Sequence, residues 1–426
     1  FVANFCPPPS EFAKVKAMDA KTKKDIEVSI SAHGETSLFV FKTISEHHVG
    51  ELSFFKVYSG AVAPGMDLVN EANEKGERLG QIFVMNGRDR KEVAKLHAGD
   101  LGAVVKLKDT HTNNTLSAKN FPVIYPPIVF PSPVITSAII SKSKGDEDRI
   151  GQGLHTLHEE DPTFVYKVDP EIKQTVVSGQ GELHLVIITK RLKEKYGVDV
   201  ELVEPRIPFR ETIRGIVPDV EYKHKKQSGG RGQYGHVHLK IEPMQRGSGF
   251  EFVDAVVGGV VPGRFIPAVE KGIIDTMEHG VIAGYHVIDV KVTLLEGSYH
   301  DVDSDEMSFK IAGAQAFKKG FKEARPILLE PIYEVEVIVP EEYMGDVMGD
   351  LSSRRGKIAG MDTDGSHQII RATAPLKELY RYSTTLRSMT QGRGIHRQKF
   401  SHYDEIPREV ADKIIQEYEK TKHGEE

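Results

Sequence analysis

A glycine-rich basic segment, residues 223–235, has the residue types most suited to phosphate binding in this sequence of 426 residues. Its cations are Lys223, Lys225, Lys226 and Arg231, and it contains no acidic residue. Alternating patterns near Val220 and Val237 predict a strand on each side, so we expect a hairpin that carries the cations at its tip. Lysine and arginine at such a tip can contact phosphate oxygens, and glycine lets backbone amides approach them. A solvated hairpin, whose glycines only adopt positive φ angles, is the alternative.

A second loop, residues 296–304, lies between a predicted apolar strand and a predicted helix. Ser304 is suited to cap that helix, with Met307 entering its first apolar turn and Asp303 lying against its positive end. His300 falls just outside the cap. A histidine–aspartate pair can perform acid–base catalysis, but no nucleophile accompanies it here, and capping accounts for the carboxylates. We therefore expect no catalytic residue in this loop.

Three other patterns suggest sites that the sequence does not complete. Gly356 precedes a lysine, but no serine or threonine follows, so a nucleotide-binding P-loop is excluded. His236 and His238 lie two apart on a predicted strand and so share a face, yet no third ligand occurs at a recognisable spacing. Residues 362–365 begin like a calcium loop without its later ligands, and a hairpin turn explains them. We expect no bound metal and no cofactor in this chain.

Basic residues also cluster in the last quarter of the sequence. Residues 383–399 contain no acid, and residues 352–357 add a second basic group. The arginines of interest are Arg354, Arg355, Arg387, Arg393 and Arg397. A sheet domain with basic loops can bind an RNA backbone, and a solvated basic face is the alternative.

The elements that position these groups predict a multi-domain α+β chain. Short alternating runs with Gly, Asn and Asp turns predict an all-β barrel over residues 10–125, and a proline-rich stretch then marks a boundary. The order βαββαβ over residues 126–203 is typical of a ferredoxin-like domain. Residues 204–328 alternate strands with two helices, near 264–279 and 304–321. A second βαββαβ order follows over residues 329–426 and ends in an amphipathic helix.

Composition limits the classes of protein that this chain can represent. With 39% hydrophobic residues it has enough apolar material for several cores, and its longest apolar runs are far shorter than the roughly 20 residues of a membrane span. The single cysteine, Cys6, cannot form an internal disulfide, so we expect a cytoplasmic protein. The net charge of −6, from 56 basic and 62 acidic residues, argues against a general nucleic-acid binder but hides the local basic runs.

Taken together, several segments resemble the translational GTPases of the elongation factor G type. They occur in family order over essentially the whole chain, at residues 49–60, 98–104, 159–164, 178–185, 228–235, 297–304, 340–347, 353–356 and 391–394. The resemblance implies the family's second to fifth domains: the barrel, a ferredoxin-like domain, an elongated ribosomal-protein-like α/β domain and a second ferredoxin-like domain. It also implies that residues 1–9 are the tail of a GTPase domain, and that GTP and Mg²⁺ belong to that domain and not to this chain.

In this family the elongated domain reaches the decoding region of the ribosome with its tip loops. The resemblance therefore implies tRNA, mRNA and ribosomal RNA as partners of a monomeric factor that does not bind membranes. The residues it nominates for RNA or ribosome binding are Lys225, Lys226, Ser228, Gly229, Gly230, Arg231, His300, Asp301, Arg354, Arg355, Arg393 and Arg397. Translocation of tRNA and mRNA is the expected function. The alternatives are ribosome recycling, ribosomal protection and an RNA-binding scaffold without GTPase activity. Two segments, 46–48 and 178–182, resemble elongation-factor-G-like paralogues more than the main elongation factor.

Overall fold

A computed structural model describes residues 11, 14–46, 50–143, 145–227 and 232–424. The chain divides into two compact units, Phe1–Pro205 and Arg206–Glu426. None of the helices in the described ranges is long and apolar enough to cross a lipid bilayer.

The first unit begins with an all-β domain, as the alternating sequence predicts. Its strands are β1 Lys14–Asp19, β2 Asp25–Ser29, β3 Ser37–Glu46, β4 Gly50–Ser59, β5 Ala61–Val62, β6 Asp67–Asn70, β7 Lys75–Arg78, β8 Ile82–Asn86, β9 Asp89–Glu92, β10 Leu96–His97, β11 Leu101–Val105, β12 Thr115–Ser117 and β13 Val123–Ile124. Eight of them form one sheet in the order β7-β6-β12-β3-β4-β11-β8-β9. Alternate residues such as Leu38, Val40 and Phe55 face one core, because successive side chains of a strand point to opposite faces.

A ferredoxin-like domain completes the first unit. Its elements are β14 Ile135–Ser141, α1 Glu147–Glu160, β15 Val165–Asp169, β16 Gln174–Gly179, α2 Glu182–Tyr196 and β17 Val200–Val203. The antiparallel sheet has the order β15-β16-β14-β17, which confirms the predicted βαββαβ arrangement. Ile150, Leu154 and Leu157 are buried on one face of α1, as their spacing predicts, and Gly197 ends α2 in the left-handed conformation.

The second unit begins with strands and helices of the α/β domain. They are β18 Arg210–Ile213, β19 Val217–Lys226, β20 Gln233–Pro243, β21 Phe250–Asp254, α3 Ile266–His279, β22 Val290–Ser298 and α4 Glu306–Glu323. Strands β19-β20-β22-β21 form one sheet, in which only β21 and β22 run parallel. The two helices cover one face of this sheet and bury Val237, Leu239 and Phe309 in the shared core. The other face of β19 and β20 carries polar side chains.

The second βαββαβ domain follows, as predicted. Its elements are β23 Pro326–Pro340, α5 Met344–Ser353, β24 Lys357–Asp364, β25 His367–Pro375, α6 Tyr382–Met389 and β26 Ile395–Glu405. Strand β23 is longer than the sequence indicates. Its first residues pair with β18 of the preceding domain, and its later residues pair with β25 and β26. The boundary expected between residues 328 and 329 therefore falls inside one continuous strand.

The terminal helix α7, Arg408–Gly424, lies against the base of the α/β domain. Val410, Ile414 and Ile415 pack with Phe209 and Ala283, which confirms the predicted amphipathic face. The α7 side chain Tyr418 lies so close to Gly284 that a Cβ there would be 2.5 Å from its ring. This packing ties the last helix of the chain to the domain that carries the basic hairpin.

A buried carboxylate fixes the loop beneath α7. Glu211 is 0% exposed, and its two carboxylate oxygens accept hydrogen bonds from the N–H groups of Val281, Ile282, Ala283 and Tyr285 at 2.6–3.1 Å. Burial raises the pKa of Glu211, and the four N–H donors act in the opposite direction. Because backbone donors are strong and obligatory partners, this one side chain holds the connection after α3 in place.

Candidate nucleic-acid interface

The basic segment forms the end of a long antiparallel hairpin, as predicted. Strands β19 and β20 pair up to Lys225 with Tyr234 and Lys226 with Gln233, and both lysines are exposed. Four nominated residues lie outside the described part of the chain: Ser228, Gly229, Gly230 and Arg231. The hairpin thus presents Lys225 and Lys226 to solvent immediately before the turn.

Asp303 joins the second loop to this hairpin. Its Oδ1 accepts the N–H of Gly232 at 2.9 Å, and its backbone oxygen accepts the N–H of Tyr234 at 2.9 Å. Ser304 adds a hydrogen bond from its Oγ to the backbone oxygen of Tyr234 at 2.9 Å. The two loops that the sequence singled out separately are therefore one connected tip.

Ser304 is not the helix cap that the sequence predicts. The N-cap of α4 is Asp305, whose side chain accepts the N–H of Ser308 at 2.7 Å. The Ser304 hydroxyl is instead held between the N–H of His300 and the oxygen of Tyr234, because the loop turns back onto the hairpin before the helix begins. Met307 is 57% exposed and does not enter the core. Asp303, expected to serve the helix end, serves the hairpin.

His300 lies at the surface of the tip and is turned towards its own loop. Its side chain is 56% exposed, and its Nδ1 faces the N–H groups of Val302 and Asp303 at 3.4 and 3.3 Å. Its ring centroid is 6.3 Å from that of Tyr234 on the hairpin. Asp301 beside it is exposed. These contacts hold the His300 ring against its own loop and beside the hairpin.

A small pocket of about 190 Å³ opens between the two loops. The hairpin lines it with residues 225–227, 233 and 234, and the second loop lines it with His300 and Asp303. Lys223, one step further from the turn, places its Nζ 5.3 Å from the centre of the Tyr234 ring. Cations and an aromatic ring around a polar recess are the groups that contact phosphates and stack on bases.

Two acidic residues of the tip are engaged by backbone N–H groups. Asp303 and Asp305 accept backbone N–H groups, of Gly232 and Ser308 respectively. Lys225 and Lys226 are exposed at the end of the hairpin, where they line the same recess as Asp303. The two lysines are therefore exposed, while Asp303 and Asp305 are engaged by backbone N–H groups of the tip.

The hairpin packs closely on the start of α4 because of a glycine. A Cβ on Gly235 would lie 2.5 Å from the backbone oxygen of Ser308, well inside van der Waals contact. Only glycine lets the strand approach the helix this closely. The tip is thus supported directly by the first turn of a helix of 18 residues.

The structure brings Arg354 into the interior of the last domain. Its guanidinium donates to Asp350, to the oxygen of Glu378 and to Thr385, and it lies 5.2 Å from the centre of the Tyr382 ring. With 19% of its side chain exposed, it joins α5 to the segment that leads into α6. This arginine has a structural role that its position in a basic run does not reveal.

Arg355 is also engaged within the domain. It binds both carboxylate oxygens of Glu330, whose side chain is 3% exposed. The hydrogen bond to Glu330 raises the pKa of Arg355 above its ordinary value. A bidentate pair on a buried carboxylate is strongly oriented, so Arg355 secures the end of α5 to β23.

Arg393 and Arg397 are the more accessible of the four nominated arginines. Arg393 lies over the Tyr343 ring and pairs with Glu342 at 2.6 Å, with 47% of its side chain exposed. Arg397 is 75% exposed, and its guanidinium is 3.7 Å from Glu336. The open face of this sheet carries Glu336 beside its arginines, so it is mixed in charge and not uniformly basic.

The sequence did not indicate the contacts that two residues of this region make. Asp303 was explained as a helix-end residue, although its partner is Gly232, 71 residues earlier. Glu221 was not considered, although the hairpin register places it opposite His238. The position of Glu221 depends on strand pairing, and an explicit register for the hairpin could have indicated it. The contact of Asp303 joins two loops that are distant in sequence, and no local pattern indicates it.

Comparison with known families matches four consecutive domain models along the chain. They are described as elongation factor G domain 2 at residues 35–119, elongation factor G domain III at 130–204, elongation factor G domain IV at 205–325 and elongation factor G C-terminus at 327–414. Among solved structures, a crystal structure of a protein from Thermus thermophilus has a TM-score of 0.80 and 37% sequence identity. The match covers 91% of this chain and 58% of that one.

Proposed function

The chain belongs to the elongation factor G family, and on this premise we propose that it is the ribosome-engaging body of a translation factor. In this proposal the connected tip enters the RNA-lined space where tRNA is paired with mRNA. Movement of the tip then accompanies translocation of the two, driven by GTP hydrolysis in a GTPase domain of the same factor. The observation that carries the proposal is the tip itself, where Asp303 joins two loops and Lys225 and Lys226 face outward.

The charge distribution supports an RNA partner at the tip. The chain as a whole is acidic, with a net charge of −6, which disfavours indiscriminate binding to nucleic acids. The basic hairpin end concentrates positive charge at one place, where it can neutralise backbone phosphates. A cationic tip on an acidic body therefore favours contact through the tip.

The packing supports a tip that moves as a rigid piece. Asp303 and Ser304 tie the second loop to the hairpin, and Gly235 allows the hairpin to lie directly on α4. Helix α7 anchors the base of the same domain to the last domain. A displacement of the base would therefore be carried to the tip by packed elements and not be absorbed in a flexible loop.

We assign the ribosomal RNA contacts of the last domain to Arg393 and Arg397. Arg354 and Arg355 each hold several partners inside the domain, and breaking those contacts would cost more than a surface phosphate contact returns. Arg397, at 75% exposure, has one distant carboxylate partner and can exchange it for a phosphate. Arg354 and Arg355 thus stabilise the domain that presents Arg393 and Arg397.

Ribosome binding by this chain tests the tip proposal. We expect the double variant Lys225→Ala/Lys226→Ala to bind ribosomes more weakly in co-sedimentation. The slope of log K against log salt should fall by about 1.4, since each lost phosphate contact on single-stranded RNA removes about 0.7. Lys318→Ala/Lys322→Ala is the matched control, because it removes the same charge from exposed positions of α4 about 18 to 24 Å along the helix from its start. Equal slopes for the two double variants would contradict the tip assignment.

The translocation step needs a second measurement, in a factor that carries these domains together with a GTPase domain. We expect the same tip variant to slow mRNA movement in stopped-flow fluorescence while ribosome-stimulated GTP hydrolysis stays nearly unchanged. A tip that serves ribosome recycling would instead slow subunit splitting and leave mRNA movement unaltered. Unchanged rates in both assays would leave ribosome binding as the only role of the lysines.

A further inference from the structure

Two histidines and a glutamate meet on the open face of the α/β domain. His236 and His238 lie on β20, and the buried side chains of Val237 and Leu239 point to the opposite face. Strand register places Glu221 of β19 directly opposite His238. Because cross-strand partners share a face, all three side chains project to the same side of the sheet, away from α3 and α4.

The ligand atoms of these three residues are already close together. One nitrogen from each histidine and a carboxylate oxygen of Glu221 lie within 4.8 Å of one another. His236 Nε2 is 2.9 Å from Glu221 Oε1, and the two imidazole centroids are 5.0 Å apart. Tetrahedral ligands with bonds of about 2.0–2.1 Å are about 3.4 Å apart, so closing onto an ion requires side-chain shifts of about 1 Å.

An oxygen atom lies within hydrogen-bond distance of Nδ1 in both imidazoles. His236 Nδ1 is 2.8 Å from the hydroxyl of Ser298, and His238 Nδ1 is 2.9 Å from a carboxylate oxygen of Asp219. With Nδ1 engaged in this way, Nε2 is the nitrogen left to bind a metal in each ring. Carboxylate or hydroxyl partners of this kind fix the tautomer and raise the basicity of histidine ligands.

We propose that Glu221, His236 and His238 form a binding site for a divalent transition-metal ion of the Zn²⁺ class. Two imidazoles with one carboxylate suit Zn²⁺, whereas Mg²⁺ and Ca²⁺ prefer sites made of oxygen alone. The two imidazole side chains are only 15% and 22% exposed, so little conformational freedom remains to be lost on binding. A fourth position stays open to water.

The ion links the two strands of the tip hairpin. Glu221 comes from β19, five residues or about 17 Å before Lys226, and the histidines come from β20. Metal binding therefore fastens the shaft of the hairpin without occupying the tip. The expectation of no metal, drawn from spacing along the sequence, failed to include Glu221 because it lies 15 residues before His236.

Zinc titration of the tag-free full chain tests the site. Isothermal titration calorimetry with ZnCl₂ should show one ion per chain, and His238→Gln and Glu221→Gln should each weaken binding at least 10-fold. Asp219→Asn, which changes only the group behind His238, should weaken it about 10-fold. His224→Gln is the matched control, since this histidine lies on the same hairpin but on the other face, and it should bind as the wild type does.

Three results would overturn the proposal. They are the absence of stoichiometric binding in the wild type, equal affinity of the wild type and His238→Gln, and an equal loss in His224→Gln. Imidazole ¹H–¹⁵N spectra of the wild type give a readout that does not depend on any variant folding. On addition of Zn²⁺ the Nε2 resonances of two rings should shift together in slow exchange, and general weak shifts over many histidines would count against a built site.

Discussion

His396 should make the last domain sensitive to mild acid. The residue is 8% exposed in β26, and its ring packs edge-on against buried Tyr382 at 5.2 Å between centroids. Burial, with a contribution from the positive charge of Arg387, lowers the pKa of His396 from 6.5 to about 4. The folded domain therefore keeps this imidazole neutral at a pH where the unfolded chain protonates it.

The sign and size of the effect follow from linkage. Because the folded pKa is lowered, the contribution of His396 to stability is fully present above pH 6.5 and is lost as the pH falls towards 4. At pH 5.0 the ratio of folded to unfolded protein is about 30-fold lower than above pH 6.5, through His396 alone. This corresponds to a loss of about 2 kcal/mol in the free energy of unfolding. That is a large part of the stability of an ordinary domain, so the segment from α6 to β26 should open measurably.

Hydrogen exchange of the full chain measures this directly. Corrected for intrinsic rates, protection of the α6 and β26 amides should fall about 30-fold more between pH 7.5 and 5.0 in the wild type than in His396→Phe. Carboxylates that titrate in the same range are common to both proteins and cancel in the difference. Equal pH dependence in the two proteins, or an NMR titration of His396 near 6.5, would refute the reasoning.

Two further predictions concern the tip and its base. Asp303→Ala should free the Gly232 amide and speed its hydrogen exchange about 5- to 30-fold, which corresponds to about 1–2 kcal/mol. Asp303→Asn keeps an acceptor and should change the exchange rate less. Similar exchange in the Ala variant and the wild type would contradict the inferred link between the loops. Glu211→Gln replaces an acceptor facing four N–H groups by an amide that brings its own donors, so thermal denaturation should show a loss of about 2–3 kcal/mol. Glu278→Gln at an exposed position of α3 is its control and should stay within about 0.5 kcal/mol, and a similar shift in both variants would argue against the buried carboxylate.

Local periodicity was sufficient to predict most elements of the fold. The spacing of Ile150, Leu154 and Leu157 indicated α1, and the face made by Val410, Ile414 and Ile415 indicated α7 and its burial. These signals depend on residues three or four apart in one helix, which sequence displays directly. The order of strands and helices then indicated both ferredoxin-like domains.

Contacts between distant segments set the limit of that approach. Arg354 belongs to a basic run in sequence, yet Asp350, Glu378 and Thr385 surround its guanidinium in the fold. The cap of α4 moved from Ser304 to Asp305 because the hairpin competes for the serine hydroxyl. The sequence shows which residues are charged or can form hydrogen bonds. Which partner each of them binds depends on the packing of the folded chain.

The shared strand β23 makes the α/β domain and the last domain inseparable as pieces. A cut at the expected boundary would divide this strand of 15 residues, separate Leu329 from its partner Arg210 and detach the three residues that stay with β18 from the rest of the strand. Limited proteolysis should therefore yield one fragment that begins near Arg206 and retains both domains. Any exchange of modules between related factors has to take this half of the chain whole.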